Sequence, residues 1–346
     1  MLHLAHGFVK QGLDVELVLV NMEGSYISQI PQGIKVVHLG NKKLLQSLPA
    51  LIKYLRQSQP KTLLSALEDT NIVALLAKVI SGVDTQSIVT VHNNLSKESQ
   101  NSTNLKRRLV PRLIPWLYPL ATKVIAVSEG VAKDLEKLGL ARRSIQVIYN
   151  PIVTPELSEK ANEPVAHSWF NPSSQPVILG VGRLSKQKDF PTLIRSFALV
   201  RAHQPARLII LGEGEELLYL KALVQELELT EDVDFPGFVT NPYAYMAKAS
   251  ICVLSSAWEG FGNVLVEAMA TGVPVVSTDC ESGPDEILAN GQYGQLVSVG
   301  NVEDMAEAII NTLERPLNPE TLKQRASKFS LDNALSKYLE VFRNPT

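Results

Sequence analysis

The sequence predicts an α/β protein made of two doubly wound domains, each a parallel sheet covered by helices on both faces, with a cleft between the domains as the default ligand site. Three observations lead there. Short, near-continuous apolar runs alternate with helical patterns along both halves of the chain, as strands buried on two faces require. A proline-rich, aperiodic stretch, Asn150-Pro-Ile-Val-Thr-Pro and then Pro164 to Pro176, separates the halves. The 346 residues are enough for two full cores.

In chain order, a helix is expected over 2–10, ending at Gly12. Apolar runs place strands at 15–20, 35–39, 62–65, 87–92, 123–127 and 145–149, with helical patterns at 48–57, 71–80 and 131–138. Past the break, strands fall at 177–182, 207–211, 233–235, 251–255 and 273–277. Helices fall at 190–201, 217–228, 264–270 and 302–313. The resulting division is a first domain over 1–150, a linker over 151–175, a second domain over 176–328, and a closing helix within 329–346 that packs back on the first domain.

Composition narrows the function classes. With 45% hydrophobic and 20% charged residues the chain is globular, and a net charge of −2 gives no electrostatic reason to expect nucleic acid. Cys252 and Cys280 sit in or beside predicted buried strands, so they read as free core thiols in a reducing, cytoplasmic setting. No apolar run reaches the length of a membrane span, and the first ten residues lack the basic start and apolar centre of a signal peptide.

The richest local signal is Glu259-Gly-Phe-Gly-Asn-Val-Leu-Val-Glu267, two carboxylates eight positions apart around a glycine turn. A strand precedes it and a helix follows. Glycines let backbone approach a ligand, and a helix N-terminus offers free N–H groups and a positive dipole end to phosphate. A solvated helix start with two surface glutamates reads equally well from these nine residues alone. The segment resembles the Glu, seven residues, Glu signature of the retaining glycosyltransferases of family 4. Similarity to that family covers nearly the whole chain and is strongest over 177–299; it implies the GT-B architecture of two Rossmann-like domains.

The resemblance then implies roles residue by residue. Glu259 faces the donor sugar and Glu267 the nucleotide's ribose, with Gly260, Phe261, Gly262, Asn263 and Val264 forming the turn between them. In Gly180-Val-Gly-Arg-Leu-Ser-Lys-Gln-Lys, Arg183 and Lys188 neutralise the departing diphosphate, with Lys186 as a second candidate and Gly182 clearing space. The third glycine of a dinucleotide fingerprint is absent there. Gly212 matches the family's glycine turn, although a ligand-free strand-to-helix turn explains it equally. Phe238 and Val239 match the base-recognising segment, where a lone aromatic is more often a core residue. Glu286 opens a short helix near the donor sugar, or is simply a favourable acid in a first turn. In the first half His92 matches a histidine that hydrogen-bonds the donor sugar, and Ser128 either faces the donor or caps a helix, the cap being favoured.

Residues 105–120 mix Lys106, Arg107, Arg108 and Arg112 with Trp116 and leucines, and the comparable region in the family binds membranes. A helix packed on the sheet is an equal reading, and the three prolines argue against one long straight helix. The implied activity is retaining transfer from a UDP-linked sugar to a saccharide or lipid-linked acceptor at the cytoplasmic face. Neither Glu259 nor His92 is a clear covalent nucleophile. Without an Asp-x-Asp motif, no metal and no cofactor are expected. Another GT-B enzyme, such as a phosphorylase or epimerase, and a non-catalytic GT-B remnant remain as alternatives. One departure stands out: family members open with a strand and glycine loop ahead of their first helix. On the order of fifteen to twenty residues are therefore expected to be missing before Met1.

Overall fold

The computed structural model describes residues 1–22, 27, 30–31, 33–40, 43–171 and 175–343. Residues 172–174, inside the expected linker, lie outside them. The chain divides into two compact units, Met1–Pro151 with Leu331–Thr346, and Ile152–Ser330. The first contains α1 (Leu2–Lys10), β1 (Glu16–Leu19), β2 (Lys35–His38), α2 (Leu48–Ser58), β3 (Thr62–Ala66), α3 (Glu68–Ser81), β4 (Gln86–Val91), α4 (Leu95–Asn101), α5 (Leu105–Leu117), β5 (Lys123–Ala126), α6 (Glu129–Lys137) and β6 (Ile145–Val147). The second contains α7 (Pro155–Ala161), β7 (Val177–Val181), α8 (Phe190–His203), β8 (Arg207–Leu211), α9 (Leu217–Glu226), β9 (Val233–Gly237), α10 (Pro242–Lys248), β10 (Ile251–Leu254), α11 (Asn263–Thr271), β11 (Val275–Thr278), α12 (Pro284–Leu288), β12 (Gln295–Val297), α13 (Val302–Glu314) and α14 (Pro319–Ala326). The chain then returns to the first unit as α15 (Leu331–Arg343).

In the first unit β3-β4-β5-β6 form one parallel sheet and β1-β2 a separate parallel pair. Side chains tie the pieces together. Val18 of β1 and Leu63 of β3 both pack on a core of Leu51, Leu55, Val73 and Ala77 from α2 and α3. The other face is closed by α1 and α15, which bury Leu4, Phe8, Leu335 and Tyr338 on Ile88 and Ile125. Gly7 lies under that contact: a Cβ there would stand 2.5 Å from Leu335 Cδ1, so the leucine would have to shift.

The segment 105–120 is helical in two pieces, with no single α-helix over its whole length. α5 runs through Pro111 and Pro115, then tightens into a 3₁₀ turn over Tyr118–Leu120. The prolines are four apart, so both missing N–H groups fall on one side of the helix, and buried Val110 and Ile114 anchor it.

The second unit is one six-stranded parallel sheet in the order β12-β11-β10-β7-β8-β9. The chain lays down β7 centrally, winds outward through β8 and β9, then returns to the other side of β7 with β10. The reversal leaves a switch point at the carboxyl end of the sheet, between β7 and β10, where the direction of winding changes. Alternating apolar residues of the strands, α8 and α13 fill the core on one side, including Ile178, Phe197, Leu208, Ile251 and Ile309. The sequence reading missed β12, only three residues long and with one buried position.

Candidate active site at the switch point of the second unit

The loops after β7 and β10 meet through charge. Lys188 Nζ lies 2.5 Å from Glu259 Oε1, an ion pair whose side chains are 16% and 9% exposed. Burial of two charges is tolerated only when both are well partnered. Ser256 Oγ donates to the same Glu259 oxygen at 2.7 Å, and Thr278 Oγ1 donates to the Ser256 carbonyl at 2.6 Å. Ser255 Oγ donates to the Lys188 carbonyl at 2.7 Å, the Ala257 amide donates to the Gln187 carbonyl at 2.8 Å, and Gln187 Nε2 donates to the Trp258 carbonyl at 3.0 Å. Ser255, Ser256 and Thr278 were not picked out from the sequence. Their only signal there is polarity at the ends of otherwise apolar strands.

Glycine positions around this pair are sterically fixed. Gly212 has φ +137°, and a Cβ on it would lie 1.9 Å from the Gly182 carbonyl oxygen. The stem of Lys188 lies over Gly182, with Cε 3.0 Å from where a Cβ would be. Gly283, at φ +105°, would drive a Cβ to 1.8 Å from the Phe261 carbonyl oxygen, so the turn before α12 lies against the turn before α11. Gly262 at φ +96° sets the entry to α11. Gly260 is buried, Asn263 exposed and Val264 half-buried.

Glu267, within α11, is half-buried, and burial pushes its carboxyl up to about 7, partly offset by the Lys188 charge. Arg183 is not gathered into the buried pair. It is 74% exposed and bonds Glu215 at 3.1 Å. Lys186 is exposed too. The Phe261 side chain is buried, edge-to-face with Phe329 at 5.4 Å, so within the turn it is the backbone that is exposed to the loops around it. Phe238 is the reverse. At 66% exposure beyond β9, beside half-buried Val239, it is a surface ring and not a core residue. Glu286 is half-buried at the start of α12. Cys252 and Cys280 are buried, unpaired thiols.

At the carboxyl end of β4 in the first unit, His92 Nε2 lies 3.0 Å from Thr90 Oγ1. Burial, with a smaller push from the Met1 ammonium, lowers the imidazole to about 4, so it is neutral near pH 7. The loop holding it is fixed by a residue the sequence reading did not select. Asp134 of α6 is 4% exposed, and its Oδ2 accepts from the Leu95 and Ser96 amides at 2.8 and 3.2 Å. Ser128 caps α6, its Oγ accepting from the Val131 amide at 3.1 Å. Among the described residues no helix is long and apolar enough to cross a membrane.

Comparison with known proteins places this geometry in a family. A model described as glycosyl transferases group 1 matches residues 164–329, and one described as glycosyltransferase family 4 matches residues 1–155. The N-acetylgalactosamine-N,N'-diacetylbacillosaminyl-diphospho-undecaprenol 4-alpha-N-acetylgalactosaminyltransferase of Campylobacter jejuni is 34% identical over 270 residues, covering 75% of this chain and 69% of that protein. The chain belongs to the family 4 glycosyltransferases. The lipopolysaccharide core biosynthesis glycosyltransferase LpsE of Rhizobium meliloti is 30% identical over 223 residues, 63% of each chain. Among solved structures, Anabaena HepE in complex with UDP-glucose superposes with a TM-score of 0.80 over 99% of this chain and 94% of its own, at 22% identity. The lipopolysaccharide outer core galactosyltransferase WaaB in its apo form gives 0.73 over 98% and 93%, at 21% identity. These likenesses establish the fold, GT-B.

Proposed function

We propose that this glycosyltransferase moves a sugar from a UDP-linked donor to a saccharide or lipid-linked acceptor, with retention and without a metal. The observation that carries the reading is the Lys188–Glu259 pair at the switch point. A desolvated lysine held by one carboxylate is a ready counter-charge for a pyrophosphate, and the incoming anion takes over the role that Glu259 fills. Glu259, still anchored by Ser256, then accepts hydrogen bonds from donor hydroxyls. The N–H groups at the start of α11 and the exposed guanidinium of Arg183 complete the neutralisation of the leaving diphosphate. Glu267 accepts from the ribose, Phe238 and Val239 flank the base, and the glycines at 182 and 212 keep side chains away. Neutral His92 serves as a hydrogen-bonding partner for the sugar rather than as a cation. Departure and attack on one face, within a tight ion pair, preserve the anomeric configuration.

Relatives support the substrate classes. The Campylobacter enzyme is named for an acceptor on diphospho-undecaprenol, LpsE for lipopolysaccharide core, and HepE has been solved with UDP and UDP-glucose. Calorimetry with UDP tests the donor assignment. Glu267→Ala should weaken binding by roughly 1.5–3 kcal/mol, the worth of a charged hydrogen bond; unchanged affinity would sink the reading.

A peripheral contact with anionic lipid at the cytoplasmic face belongs to the same proposal. Leu105, Leu109, Leu113, Trp116 and Leu120 are 68, 43, 43, 79 and 41% exposed and recur at spacings of three and four, one stripe along α5 and its 3₁₀ extension. Exposed Lys106, Arg107, Arg108 and Arg112 accompany it. Sedimentation with anionic liposomes should weaken with salt and with Trp116→Ala. Binding to neutral and anionic liposomes alike, or to neither, would count against it.

A further inference from the structure

The last carbonyls of a helix have no partner within it. α12 is only five residues long, and its carbonyls are met from outside. Arg325, on α14, donates from Nε to the Ile287 carbonyl at 2.8 Å and from Nη2 to the Glu286 carbonyl at 2.5 Å. A cation here also suits the helix's negative end. The guanidinium packs against two rings, Tyr293 and Phe329, each with its centroid 5.3 Å away. Phe329 in turn packs edge-to-face on Phe261, between the glycines of the turn before α11. The Phe261 carbonyl closes the circuit, because it lies where only a glycine, Gly283, leaves room. Phe329 is also fixed through its backbone: its carbonyl accepts from the Ile152 and Val153 amides at 3.0 and 3.1 Å, and Val153 bridges to Ser330.

We propose that Arg325 and Phe329 are positioning residues for transfer, clamping the turns at 259–263 and 282–286 into one arrangement that shapes the sugar end of the donor site. This rests on the donor reading given above. No motif contains either residue, and Arg325 reaches its carbonyl partners across 38 and 39 positions. The clamp acts on Glu259 and Glu286 through backbone, so its loss should be felt by the donor's sugar more than by its nucleotide, whose ribose and pyrophosphate partners are Glu267 and Lys188.

Two measurements on the full chain test this. In amide hydrogen exchange without ligand, Arg325→Gln and Phe329→Leu should speed exchange at 259–263 and 282–288 by about tenfold, with β8 and α8 unchanged. Arg325→Lys should be milder, since it keeps the charge but loses the fork that spans two carbonyls. In calorimetry the same variants should raise the Kd for UDP-glucose about tenfold and that for UDP by no more than about twofold. Unchanged exchange at both turns overturns the proposal. So does a uniform rise across the unit, the mark of a contact that merely stabilises it, and so does an equal loss of UDP and UDP-glucose. Wild-type chain that binds neither probe would refute the donor reading instead; the exchange data would still decide whether these residues hold the turns. Should Arg325→Gln fail to fold, Phe329→Leu carries both measurements.

Discussion

At the carboxyl edge of the second unit's sheet, a buried ion pair sits among turns that only glycine can make: Gly212 and Gly283 face carbonyl oxygens where a Cβ would stand at 1.9 and 1.8 Å. The corresponding edge of the first unit is different. His92 there is neutral, its loop is held by the Asp134 carboxylate accepting backbone amides, and Leu67 takes φ +73° after β3 where a glycine would be easier. Of the first unit's positive-φ glycines, Gly12, Gly33, Gly40 and Gly82 face open space, and Gly139 would meet only Pro115 at ordinary contact distance. One edge carries a buried ion pair under close backbone approach, the other a neutral imidazole and a carboxylate spent on backbone amides. On the donor reading proposed above, the charged edge is the one a leaving diphosphate would require.

Breaking the charged edge should have the largest effect. Lys188→Ala removes the counter-charge and leaves Glu259 buried without it, so turnover should fall by about 10²–10³. His92→Gln, which keeps a hydrogen-bonding side chain at the neutral edge, should cost no more than about tenfold. Steady-state rates decide, and equal losses would erase the distinction.

Glycine replacement comes next. Gly212→Ala must resolve both a clash with the Gly182 carbonyl and a left-handed φ, so thermal or urea unfolding should show a loss of about 3 kcal/mol or more. Gly82→Ala, strained only in φ, should lose about 1 kcal/mol. Comparable losses would show that the turn around Gly212 relaxes freely.

A smaller contrast is one of sign with pH. Burial raises Glu267 from 4.5 to about 7, so the native state keeps a proton the unfolded chain has released, and stability falls as pH rises from about 4.5 to 7. His92 is lowered from 6.5 to about 4, so its contribution is complete above 6.5 and is lost as pH falls toward 4. Each is worth about 3 kcal/mol. Denaturation across pH should therefore show Glu267→Gln flattening the neutral side of the profile and His92→Gln the acid side. Identical profiles for the two variants would remove both assignments.

How much of this was legible beforehand follows from sequence distance. Strand, glycine turn and helix around 251–271 are contiguous, so their order and the place of Glu259 could be read directly. That Lys188 grips Glu259 could not, because 71 positions separate them and only the strand order brings β7 beside β10. Apolar periodicity revealed the long elements but not β12, with three residues and one buried position. The prolines of α5 left its extent open, because local chemistry disfavours a long straight helix while burial of Val110 and Ile114 anchors the one that forms. Phe238, as a lone aromatic, favoured a core reading, and only packing shows that its ring is exposed. Arg325 and Asp134 carry no signal at all, because each acts on backbone far away in sequence.

The central claim is that Lys188 is the counter-charge for the donor's second phosphate, and comparing UDP with UMP isolates it. By calorimetry at constant ionic strength, wild-type chain should bind UDP more tightly than UMP. Lys188→Ala should bring UDP down to the affinity of UMP while leaving UMP itself unchanged. If the variant keeps the full preference for UDP over UMP, the pyrophosphate is held elsewhere and the account of the switch-point pair is wrong.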